Sequence, residues 1–207
     1  MNKLLFMGAG AVGAGGLGLG GYSLLKPNKE TFRNKFSNSL LNKDSDSEAW
    51  NSRYSSLKGQ TPAFPSLLEV AKKNDDLQTT KEAHKRACLE IYDSPVEDNK
   101  YLRDFELYCS KHIEDEITKS SLISDAKNVG TEWDKRLDAL KKLTGDAVNT
   151  LSDELKSLKT TMGSSNASDD YRDTLKKWCD TTKTKIFLGS EDLKFKDVKT
   201  YCVKNNV

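Results

Sequence analysis

Four cysteines and two histidines are the side chains of this 207-residue sequence best suited to chemistry. His84-x-x-x-Cys88 and Cys109-x-x-His112 would offer two nitrogens and two sulfurs to a zinc ion, because residues three or four apart share one face of a helix. A second pair, Cys179 and Cys202, tests that reading. At the matching positions Leu175 stands for His84 and Asn205 for His112, so the two halves share the sulfurs without the nitrogens. A duplicated metal centre is therefore not expected. The shared sulfurs point instead to two structural disulfides, Cys88–Cys109 and Cys179–Cys202, each closing a loop of about 20 residues and contributing roughly 3 kcal/mol on loop-closure entropy.

Other candidates give way to simpler readings. Ser55-x-x-Lys58 has the spacing of a serine–lysine nucleophile, but it shares a helical stretch with Trp50 and Leu57, and Asp138 stands in its place in the second half. Gly8-x-Gly10-x-x-Gly13, after Lys3-Leu4-Leu5-Phe6-Met7, imitates a dinucleotide-binding turn. The segment behind it, Ala14 to Gly21, is too rich in glycine to form the packing helix, and the polar Lys26-Pro27-Asn28-Lys29 follows where a second strand would be needed. Asn166-Ala167-Ser168 is a glycosylation sequon, meaningful only in a eukaryotic secretory pathway. The run Glu114-Asp115-Glu116 reads as a solvated helix face. No catalytic, cofactor-binding or metal-ligating set is expected, since general-base chemistry with only two unrepeated histidines would need buried carboxylates.

The elements that position these residues follow from composition. Lys and Arg number 33 against 31 acidic residues, and the net +2 is spread along the chain, so no electrostatic footprint for nucleic acid exists. Hydrophobic residues make up only 36% against 31% charged, which implies a lean core. Val and Ile are scarce while Leu, Lys, Asp, Ser and Thr abound, which favours helices with polar backs over a buried sheet.

The N-terminus differs in kind. Leu4 to Leu25 carries no charge, and eight of the thirteen glycines lie between Gly8 and Gly21. A helix of that length spans roughly 33 Å, enough to cross a hydrocarbon core. Residues 1–25 thus read as a transmembrane anchor or signal sequence. No cysteine ends the run and no small-x-small cleavage site is evident, so an uncleaved anchor is expected. Gly16 and Gly20, Ala14 and Gly18, and Ala11 and Gly15 recur four apart, a spacing that permits oligomerisation through the anchor. Only Lys3 precedes the run, whereas Lys26, Lys29, Arg33 and Lys35 follow it, so the positive-inside bias would hold the remainder in the cytoplasm. Disulfides argue for the opposite side, and long domains translocate regardless of such charges; an extracellular soluble part is the expectation.

After a polar linker at 26–47, the chain repeats itself. Trp50-x-x-Arg53-x-x-x-Leu57-Lys58 recurs 83 residues later as Trp133-x-x-Arg136-x-x-x-Leu140-Lys141. Lys85-x-x-Cys88 answers to Lys176-x-x-Cys179, and Asp104-x-x-x-Tyr108-Cys109-x-Lys111 to Asp197-x-x-x-Tyr201-Cys202-x-Lys204, the offset drifting to 91 and 93. The expected fold is all-α: an N-terminal transmembrane helix followed by two repeated small helical bundles, at 48–120 and 121–207, each with a cysteine pair. Apolar stripes outline four short helices per unit, such as Val129, Trp133, Leu137 and Leu140 in the second. Ser168 and Ser190 are placed to cap the last two helices.

With its Gly-rich hydrophobic start, Trp-x-x-Arg signatures, paired cysteines and Tyr-Cys motifs, the chain resembles the uncharacterised paralogous surface proteins of haemotropic mycoplasmas along nearly its full length. That resemblance implies surface exposure and contact with a host cell or evasion of recognition; it carries no activity onto particular residues. The expected function is accordingly membrane-anchored surface display or binding of a protein partner on a host or the same cell. An enzyme, such as a hydrolase with carboxylates unplaced by sequence, and a cytoplasmic-facing membrane scaffold are the alternatives.

Overall fold

The computed structural model describes residues 29–118, 121–126 and 131–204; the anchor segment, Val129 and Asn205 lie outside the described residues. Among the described residues the fold is all-helical, with strand-like pairing confined to isolated bridges. No helix among them is long and apolar enough to cross a membrane.

Eight principal helices fall into two sets of four. The first set is α1 (Ser47–Leu57), α2 (Pro65–Lys73), α3 (Gln78–Tyr92) and α4, which runs as Leu102–Asp104 and continues in a π-helical turn, Phe105–Cys109. The second is α5 (Thr131–Lys142), α6 (Asp153–Met162), α7 (Asp169–Thr182) and α8 (Leu193–Tyr201). Each set encloses its own apolar cluster. Trp50, Tyr54, Leu57, Leu67, Cys88, Ile91, Phe105 and Cys109 build the first. Trp133, Leu137, Leu140, Leu155, Leu158, Leu175, Cys179, Val198 and Cys202 build the second.

Local chemistry sets the helix ends. Pro65 opens α2, where a missing N–H is harmless, and Asn74 closes it in the left-handed region at φ 46°. Ser168 caps α7 as its position predicts, accepting from the Tyr171 N–H. Asp192, rather than Ser190, caps α8: its carboxylate accepts from Phe195 N–H at 3.1 Å and places a negative charge at the positive end of the helix. Ser190 precedes that cap by two residues.

The same contacts recur in both sets. Trp50 Nε1 donates to Asn42 O at 2.9 Å, and Trp133 Nε1 to Asp125 O at 3.0 Å. Arg53 Nε donates to Ser110 O at 2.8 Å, and Arg136 Nη2 to Val203 O at 2.5 Å, each carbonyl directly following the last cysteine of its set. Asp104 Oδ2 accepts the N–H of Phe64 and Asp197 Oδ2 that of Ser152, both at 2.7 Å, so one buried carboxylate holds the residue immediately before α2 or α6. One pairing differs in kind. Ile123 N donates straight to Cys202 O at 2.9 Å, whereas in the first set the Tyr92 hydroxyl stands between, accepting from Leu41 N at 3.2 Å and donating to Cys109 O at 2.6 Å.

Each set also begins earlier than its tryptophan-bearing helix. Phe32 and Leu41, from the stretch expected as polar linker, are buried in the first cluster, with Phe36 and Leu40 packed on it. Ile113, Ile117 and Ile123 do the same in the second. The backbone explains why. Phe32 N donates to Ser94 O and Val96 N to Glu30 O, clipping the opening segment to the α3–α4 loop; Ile113 N to Lys185 O and Phe187 N to Lys111 O repeat the clip on the α7–α8 loop.

Candidate functional site

The four cysteines form two disulfides, Cys88–Cys109 and Cys179–Cys202, with Cα atoms 5.3 and 5.6 Å apart. Each ties a helix to the end of the one that follows it, Cys109 closing α4 and Cys202 standing directly after α8, so the matched sulfurs occupy equivalent places in both halves. Around the first bond the structure gathers more than a staple. His84 lies four residues before Cys88 on the buried face of α3, and the ring is 1% exposed. Its Nε2 is 2.8 Å from Tyr108 O and 3.4 Å from Cys88 Sγ. A carbonyl only accepts, so Nε2 carries the proton and Nδ1 is the free lone pair. Trp50 packs edge-on to the ring at 5.6 Å and Tyr54 tilts against it at 5.7 Å. Burial among these groups drives the imidazole pKa down from its ordinary 6.5 to about 4, against the pull of the Tyr108 carbonyl; nearby Lys85 adds to the lowering. The ring is neutral throughout the physiological range.

His112 does not join this cluster. It belongs to the opening segment of the second half, where its N–H donates to Asp115 Oδ2 at 2.7 Å and its ring Nε2 donates to Glu106 O at 2.8 Å. Among the described residues, His84, Cys88 and Cys109 are the group of metal-competent side chains that converges, their ligand atoms all within 4.8 Å of one another. The second half keeps only the sulfurs: Leu175, fully buried, fills the position of His84.

Ser55 and Lys58 are each engaged by other partners. Ser55 Oγ donates to Asn51 O at 2.9 Å, and Lys58 reaches Asp76 at 2.9 Å. The acidic run is not a solvated face throughout. Asp115 forms an ion pair with Arg53, whose side chain is 2% exposed, while Glu116 pairs with Lys111 at 2.8 Å. Arg53 is thus a buried cation shared by Ser110 O and Asp115, and burial lowers its pKa despite the carboxylate beside it. In the second half Arg136 leans on Val203 O and on Glu132 at 3.6 Å, and its Nε is buried without a hydrogen-bond partner among the described residues.

Two concavities flank these features. One, of about 220 Å³, is lined by Trp50, Tyr54, Gln78, Lys81 and His84 and opens onto the imidazole. Another, of about 490 Å³, is lined by Ile113, Leu151, Leu188 and Leu193 together with Asp153 and Lys194. The second brings together apolar side chains and surface charges.

The chain matches no protein-family model, and comparison with curated proteins and with solved structures yields no match.

Proposed function

We infer that this chain is a membrane-anchored protein that presents two copies of one disulfide-stapled helical module on the outer side of a cell and works by binding or display rather than by catalysis. The observation that carries this reading is which side chains the halves share. Trp50 and Trp133, Arg53 and Arg136, Leu57 and Leu140, Asp104 and Asp197, Tyr108 and Tyr201, and the four cysteines are buried in both copies. The shared tryptophans, arginines, aspartates and cysteines make equivalent contacts. What was duplicated is a scaffold, of about 80 to 95 residues once the opening segments are included, rather than a reactive centre. The uncharged stretch Leu4 to Leu25 supplies the anchor, and two disulfides in a lean core suit an oxidising side. The resemblance to mycoplasma surface paralogues adds a host-cell protein as the partner class.

The test is made on intact cells expressing the full chain. An impermeant protease removes the soluble part from outside, and mass mapping of alkylated cysteines recovers both pairs as disulfides. A protected chain with four free thiols overturns the reading in favour of a cytoplasmic-facing scaffold.

A further inference from the structure

We propose that the first module is a redox-gated site for one thiophilic divalent cation of the zinc class, held by Cys88, Cys109 and His84 once the Cys88–Cys109 bond has been reduced. The site forms on either side of a membrane, wherever a reductant reaches the module.

The geometry is close to what such an ion needs. Zinc with sulfur at about 2.3 Å and nitrogen at about 2.0 Å, tetrahedrally arranged, sets donors roughly 3.5 Å apart. His84 Nε2 and Cys88 Sγ already stand 3.4 Å apart, fixed by their four-residue spacing on α3. Cutting the sulfur–sulfur bond lets Cys109 Sγ move the short remaining distance away from Cys88. Tyr108 O, 2.8 Å from the ring nitrogen and 3.4 Å from Cys88 Sγ, now takes the Nε2 proton and lies where the bond from Nε2 to the ion would run, so it has to draw back before it or a water completes the four donors. The concavity bounded by Trp50, Tyr54 and His84 brings solvent up to the imidazole, while both sulfurs are fully buried behind it.

A dithiol or phosphine reductant takes up the oxidising equivalents of the disulfide and leaves two thiols. The incoming ion displaces both thiol protons to solvent, and the imidazole passes its proton from Nε2 to Nδ1 through solvent while staying neutral. Two thiolates then cancel the charge of the dication, so the buried assembly is neutral overall. The second module is an internal control: Leu175 beside Cys179 and Cys202 removes the nitrogen, leaving a two-sulfur set.

Cobalt(II) is the probe, titrated anaerobically into the phosphine-reduced full chain in detergent, with far-ultraviolet circular dichroism recorded before and after. One equivalent should give tetrahedral d–d bands and thiolate-to-metal charge transfer, reversed by zinc. His84→Leu, which copies the second module, should weaken binding by more than about tenfold, since loss of even an outer partner of a ligand costs that much. Leu175→His should raise the stoichiometry to two. Failure of the one-equivalent signal, an undiminished affinity in His84→Leu, or helix lost on reduction and not restored by cobalt each overturns the proposal. Persistence of the signal in Cys179→Ser/Cys202→Ser, with its loss in Cys88→Ser/Cys109→Ser, assigns it to the first module; the reverse pattern overturns it.

Discussion

Replacing His84 by leucine should remove one defined part of the acid sensitivity of the oxidised protein. The ring titrates near 6.5 in the unfolded chain and at about 4 when folded, so between these values the unfolded state binds more protons. Stability linked to the neutral ring is complete above pH 6.5 and is lost as pH falls toward the folded value. Between pH 7.5 and 4.5 that loss amounts to about 2.5 kcal/mol, from the two pKa values and 1.36 kcal/mol per unit. Urea unfolding of wild type and His84→Leu at both pH values isolates the quantity, because titrations common to both chains, including those of His112 and Asp197, cancel in the difference. Leucine is the apt replacement, since Leu175 fills the corresponding site fully buried. The stability gap between the two proteins should shift by about 2.5 kcal/mol in favour of the variant on acidification. An unchanged gap would refute the claim that the buried imidazole is held neutral.

Three further outcomes follow from the packing. Tyr92→Phe strips the hydroxyl that bridges Leu41 N and Cys109 O, leaving a donor and an acceptor buried, and should cost about 2–4 kcal/mol in urea unfolding. Asp115→Ala leaves the Arg53 guanidinium buried without its carboxylate and should destabilise by about 3–5 kcal/mol, whereas Arg53→Met with Asp115→Ala should recover much of that loss; equal stability of the single and double variants would contradict an ion-pair role. Replacing Cys179 and Cys202 by alanine opens a bridge with a sequence separation of 23 residues and should lower stability by about 3 kcal/mol, read as a fall in thermal midpoint.

Much of the helical framework was legible because it rests on side-chain periodicity. The stripes through Trp50, Tyr54 and Leu57 and through Trp133, Leu137 and Leu140 are core, and the cysteines pair as their matched places require. What escaped has a different physical origin. The clips between opening segments and interhelical loops are made by backbone amides and carbonyls, which any residue supplies, so they leave no compositional trace. Asp115 sits in a run that composition alone assigns to solvent, and only the distant Arg53 draws it inward. Asp104 and Asp197 stood out as a repeated letter, yet their role depends on Phe64 and Ser152, some 40 residues away in sequence. His112 shares spacing with Cys109, but a chain that leaves its helix directly after the cysteine carries it out of reach.

The handover between the two halves has a consequence for how such a protein can be divided or evolve. Cys109 and Ser110 close the first unit while Lys111 and Ile113 open the second, and Lys111 serves both, its N–H on Ser39 O and its carbonyl on Phe187 N. No neutral seam lies there. Severing the chain at 120 would strip Ile113 and Ile117 from the downstream interior, whereas severing it before 109 would free half of the upstream staple. Recombination that exchanges whole units intact has to cross near residue 111, a far narrower target than the spacing of the tryptophans suggests.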